Sequence, residues 1–161
     1  MKSRIAFSAS CFVVFLLMYC AATAQGFLSM KRNNVKKQLT RFYSKQQVPY
    51  RFAETDSSIT VIVTDTSGKH TAGFSYFFKR NNRCYKETGD GACEHCFQKI
   101  ISDAKMVKRY RWKTVSEQFY LSKPLWNMVL MRTDPERPFS YSIIKDYFNR
   151  TDHKKLYKIK L

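Results

Sequence analysis

The feature that most constrains this chain is the run from Cys93 to Val107. Cys93, Cys96, Phe97, Ile100, Ile101, Ala104 and Val107 recur at spacings of three and four, so the segment predicts a helix whose inner side is entirely apolar or thiol. On either side of it the pattern changes to the two-residue period of strands. A helix with one oily side, set between two series of strands, must act as a prop against which both pack.

Ahead of it, Val35, Leu39, Phe42 and Tyr43 share one face of a first helix that Asn33 can cap. Ser44–Ser58 is a polar connection holding Pro49, with Tyr50-Arg51-Phe52 as a short strand. Ile59–Thr64 has the β-branched density and alternation of a strand, Thr66–Lys69 a turn, and Phe74–Phe78 the returning strand. Asn81-Asn82 turns the chain into a third strand at Arg83–Lys86, and Thr88-Gly89-Asp90-Gly91 reads as a break. After Val107, strand patterns recur at Tyr110–Lys113, Gln118–Leu121, Leu125–Arg132 and Phe139–Ile143, with Pro124 and Asp134–Pro138 as boundaries. Asp152–Leu161 is either a short docking helix or a loose tail. The order is helix, three strands, helix, three or four strands. It predicts an α+β fold: an antiparallel sheet in two meanders with two main helices packed on one face. Helix followed by meander occurs twice, although the halves share no residue pattern.

Residues 1–24 predict an export segment. Lys2 and Arg4 give a basic start, Ala6–Tyr19 is apolar and too short to span a bilayer, and Ala22-Thr23-Ala24 offers the small-x-small site for cleavage before Gln25. Residues 25–161 then form a single domain, large enough to bury about two thirds of the surface its unfolded chain exposes. No other run is long and apolar enough to span a membrane. The expected location is the periplasm or the extracellular space.

Export sets how cysteines are read. Outside the cytoplasm Cys84, Cys93 and Cys96 include one disulfide, of three possible connectivities, with one sulfur left over. A Cys-x-x-Cys at a helix start also supports redox chemistry, because unpaired backbone N–H groups and the helix dipole stabilise a thiolate there, and His95 adds to this when protonated. No βαβ pattern surrounds the motif, which excludes the thioredoxin setting. Cys84, Cys93, Cys96 and His95 carry the atoms zinc needs, but His95 projects about 100° round the helix from Cys96, so the four do not converge. No cofactor or metal is expected. His70, His95 and His153 are scattered in a basic chain and read as surface residues rather than as a nuclease pair. Asn149-Arg150-Thr151 is a glycosylation acceptor sequence in a eukaryotic chain.

Charge is the second signal. Without residues 1–24 the chain carries 27 Lys and Arg against 12 Asp and Glu, a net +15. Such a field attracts lipid headgroups, acidic polysaccharide or nucleic acid. The candidate anion-binding residues are Lys31, Arg32, Lys36 and Lys37 on the first helix, and Arg109, Arg111 and Lys113 where basic and aromatic residues interleave. Strand alternation turns Tyr110 and Trp112 toward the core and Arg111 and Lys113 toward water.

Met30–Leu39 resembles the helix that opens small periplasmic modules of the SmpA/OmlA (BamE-like) kind, with Met, then Val five residues on, then Leu four further. Lys31 stands where those modules carry a Ser or Thr cap, and no Gly-x-Pro follows Leu39. The export segment ending in Ala-Gln, the Thr-rich hairpin and the Cys-x-x-Cys helix are similar to small exported proteins of Bacteroidota without assigned function. That resemblance implies an envelope or secreted location and no activity. The expectation is an exported non-enzymatic module binding an anionic envelope component or a protein partner through its basic surface. The alternative is a thiol redox or metal-binding protein using Cys93 and Cys96.

Overall fold

The computed structural model describes residues 26–46, 48–123, 127–132 and 139–158. The expected export segment, the Pro124 boundary and the expected turn at 134–138 lie outside these residues. The elements run α1 (Arg32–Tyr43), β1 (Tyr50–Glu54), β2 (Ser58–Thr64), β3 (His70–Phe78), β4 (Cys84–Gly91), α2 (Glu94–Met106), β5 (Lys113–Ser116), β6 (Phe119–Leu121), β7 (Met128–Arg132), β8 (Ser140–Lys145) and α3 (Arg150–Lys158). The fold class is α+β, with more strands than the sequence pattern indicated.

All eight strands form one antiparallel sheet in the order β1-β2-β3-β4-β8-β7-β6-β5. Each helix-led half is a four-stranded meander, and the two meet at their last strands. Turn chemistry sets the hairpins. Gly68 takes a φ of +83° between β2 and β3, where Asp65 Oδ1 accepts the N–H groups of Ser67 and Lys69, each at 2.9 Å. Asn82 takes +57° between β3 and β4.

Thr88–Gly91 is not a break: it is the second half of β4, paired with both β3 and β8. Its glycines mark close approach rather than a turn. A Cβ on Gly89 would lie 2.6 Å from Tyr141 Cε1, and one on Gly91 2.9 Å from the Phe97 nitrogen, so a ring crosses one and α2 descends on the other. Likewise Tyr110–Trp112 is not a strand. Residues 108–110 turn, Arg111 has a φ of +49°, and β5 begins at Lys113.

Side-chain parity divides the sheet into two faces. Ile59, Val61, Val63, Phe74, Tyr76, Phe78, Tyr141, Ile143, Met128, Leu130 and Tyr120 share one core with Val35, Leu39 and Tyr43 of α1 and Phe97, Ile100, Ile101 and Ala104 of α2. The two main helices therefore pack on one face. Helix α3 lies on the other, over β5–β8: Leu121 and Val129, of opposite parity, are fully buried, Phe119 meets Phe148 at 6.3 Å, and Lys113 Nζ donates to the Tyr157 carbonyl at 2.8 Å. Among the described residues, no helix lies on the far face of β1–β4.

One buried carboxyl ties the halves together. Glu87 sits on the core face of β4, paired across the strands with Tyr76 and Ile143, and is 4% exposed. Tyr110, just after α2, donates its hydroxyl to Glu87 Oε1 at 3.2 Å, while Arg109 Nη1 donates to the Gly26 carbonyl at 2.9 Å. This fastens the lead-in before α1, whose Phe27 and Leu28 are each 1% exposed, over the carboxyl. Burial pushes the Glu87 pKa up from its ordinary 4.5 to about 7, against the opposing pull of the Tyr110 hydroxyl and of the Leu28 and Phe27 N–H groups.

The folded form therefore holds a proton that the unfolded form releases above pH 4.5. Stability from this group is full at lower pH and declines as pH rises toward about 7, by about 3 kcal/mol in all. Glu87→Gln keeps an acceptor and removes the titration. Its stability relative to wild type, from chemical denaturation at a series of pH values, should climb between about pH 5 and 7 and then level off; a difference constant with pH contradicts the assignment.

Candidate functional site

Cys93 and Cys96 pair as a disulfide, with Cα atoms 5.2 Å apart. Cys84 is separate: its thiol is buried in the core and faces the Lys86 carbonyl at 3.5 Å. Burial, followed by the charge of Glu87, drives the Cys84 pKa far above the ordinary thiol range, so this sulfur is inert. The expectation that both motif sulfurs point inward is corrected. Cys93 is the N-cap of α2 in extended conformation, and its Sγ accepts the Cys96 N–H at 3.3 Å, so it serves an unpaired helix amide instead of the core. Cys93 and His95 are exposed and Cys96 is half-buried. Among the described residues no three His, Cys, Asp or Glu side chains are grouped to hold a metal ion.

The basic candidates separate into structural and free cations. Arg32 bonds the Asp56, Thr55 and Ser58 carbonyls at 2.8, 2.6 and 3.3 Å and lies over Phe78, locking α1 to the β1–β2 turn. Lys36 pairs with Glu54 at 2.7 Å and, with Arg32, holds that carboxyl below its usual pKa. Arg109 clamps the lead-in, and Lys113 holds α3 through the Tyr157 carbonyl and ring rather than facing water. Lys31, Lys37 and Arg111 are exposed. On α1, Lys37 lies one turn before Arg41, and the two, with Asn33, Lys36 and Thr40, line a shallow groove of about 450 Å³. Tyr110 is buried and Trp112, half-buried, packs on the core with its indole N–H donated to the Ala104 carbonyl at 3.1 Å, so most of the aromatic surface beside Arg109 and Arg111 is turned inward.

The uncovered face of β1–β4 holds a second groove, of about 490 Å³. Its floor is Ile62 and Gly73, its rim Arg51, Thr60, Ser75, His70 and Asp90. His70 Nε2 and Asp90 Oδ2 lie 3.0 Å apart, and the Asp90 carboxylate overhangs Gly73, where a Cβ would come within 2.6 Å of Oδ1. The Ser75 hydroxyl is engaged with Thr60 at 2.9 Å rather than with His70. Parity counted from the Asn81-Asn82 turn hides this pair. A bulge between Phe77 and Phe78 shifts the β3–β4 register by one residue, moving Asp90 to the open face and Glu87 to the core.

The three histidines share no site. His70 is on the open sheet face, His95 on the first turn of α2, and His153 is fully buried on α3, where burial pulls its pKa down and the Met128 backbone partly offsets this. Comparison of the chain with protein-family models, with proteins of known function and with solved structures found no match.

When the disulfide is reduced, Cys93 should react with iodoacetamide several-fold faster than Cys96, because it is exposed and a backbone N–H supports its thiolate. Peptide mass mapping of partly alkylated protein reads this directly; equal labelling contradicts it.

Proposed function

We propose that this chain is an exported, non-enzymatic binding module that holds an acidic polysaccharide on the basic face of α1. The observation that carries the reading is the pairing of Lys37 with Arg41. Like charges one helical turn apart cost a few tenths of a kcal/mol, and among the described residues no carboxylate pairs with them, so an external anion is the partner that turns repulsion into attraction. Asn33 and Thr40 add neutral hydrogen-bonding groups to the same groove, which suits sugar hydroxyls. A lipid surface is less well matched: the large hydrophobics left exposed among the described residues are Met106 and Tyr147, neither on α1. Nucleic acid is disfavoured by the inward-facing Tyr110 and Trp112.

A second reading, thiol–disulfide exchange, is favoured by the exposure of Cys93 at the start of α2. Equal labelling of the two thiols counts against it.

The test is retention on heparin and on anionic vesicles across salt concentrations. At about 1 kcal/mol per cation, Lys37→Glu with Arg41→Glu should weaken heparin binding at least tenfold and flatten its salt dependence. Unchanged binding by the double variant, or retention indifferent to salt, contradicts the proposal. Binding to vesicles alone would transfer the site to a lipid headgroup.

A further inference from the structure

The acceptor sequence Asn149-Arg150-Thr151 occupies a defined and accessible place. It follows a turn that is held firmly. Asp146 has a φ of +57° and donates its N–H to the Asn127 carbonyl at 2.8 Å, and Asn127 Nδ2 in turn donates to the Phe148 carbonyl. Asn149 is exposed and caps α3 through its oxygen, with Oδ1 accepting the Asp152 N–H at 2.9 Å. Its nitrogen gives one hydrogen to Asp152 Oδ2 at 2.5 Å and has a second to spare. Capping uses the oxygen and a sugar would use the nitrogen, so the two do not compete.

Two residues earlier stands Tyr147, 49% exposed and one of two large hydrophobics left open among the described residues. Its ring is braced edge-on by Phe148 at 4.9 Å, and Phe148 is itself braced by Phe119 at 6.3 Å. Half of this aromatic is left open, and it lies two residues before the asparagine, within reach of the apolar C–H face of a first sugar.

We propose that Asn149 is the acceptor of an N-linked glycan in a eukaryotic secretory pathway and that Tyr147 is the platform for its first sugar. In the transfer, Nδ2 bonds to the anomeric carbon of a polyprenyl-pyrophosphate-linked oligosaccharide. The bond from that carbon to the pyrophosphate oxygen breaks, polyprenyl pyrophosphate leaves, and the amide proton passes to a base of the transferase. The proposal rests on export and is independent of the polysaccharide reading. Because α3 and α1 lie on opposite faces of the sheet, the glycan leaves Lys37 and Arg41 uncovered.

The test is secretion of the full chain from insect cells in two versions, one with its own residues 1–24 and one with these replaced by an established leader. The second decides the site however the native leader behaves. Expected are a mass increment removed by peptide N-glycosidase with conversion of Asn149 to Asp, and its loss in Thr151→Val. Removing the glycan should lower Tm in the wild type and in Tyr147→Phe, which keeps the ring, and by less in Tyr147→Ala. Secreted protein with an unmodified Asn149 overturns the site, and equal Tm losses in Tyr147→Phe and Tyr147→Ala overturn the platform.

Discussion

The antiparallel pairing of β4 with β8 makes one sheet out of two meanders. It runs from Lys86 opposite Ile144 to Asp90 opposite Ser140, each strand being the last of its half. What lies on this seam explains its sequence. Gly89 admits the Tyr141 ring onto the backbone, Gly91 admits the start of α2, and Glu87 gathers Tyr110 and the lead-in over the joint. Central strands make ladder bonds on both sides, so loosening this pair would open the sheet in the middle rather than fray an edge. The buried carboxyl is a cost at high pH, where its charged form has to be held out of water.

The asymmetry of the far face follows from the same plan. Helix α3 covers the second meander only, and it does so with a mixture of buried apolar groups and a neutral buried His153. The first meander is left with Thr60, Ser75 and Thr88 in one cross-strand row that continues to Ser142 on β8, small hydroxyl side chains that tolerate water. Positive charge is similarly partitioned. Arg32, Arg109 and Lys113 turn their charge onto backbone carbonyls, while Lys37 and Arg41 remain outside. A net charge by itself could not have told these two groups apart.

What could be read in the sequence was whatever depends on local periodicity. The inner faces of α1 and α2, the strands around Ile59–Thr64 and Phe74–Phe78, and the turns at Gly68 and Asn82 all follow from spacing and turn chemistry. What was hidden depends on contacts distant in sequence or on single-residue register shifts. The glycines of β4 look like punctuation until Tyr141 and Phe97 are placed against them. The His70–Asp90 pair requires a bulge that no alternation announces. Cys93 fits the apolar face of a helix by spacing alone, but the helix begins one residue later and uses its sulfur as a cap.

The claim that the seam unites both halves is tested most directly by native-state amide hydrogen exchange, resolved by residue. The β4–β8 ladder amides should exchange with the full free energy of global unfolding, together with those of β3 and β7 beside them. Ladder amides of β4 and β8 that exchange at a lower free energy than those of β2 or β6 would show two meanders opening separately, and would contradict it.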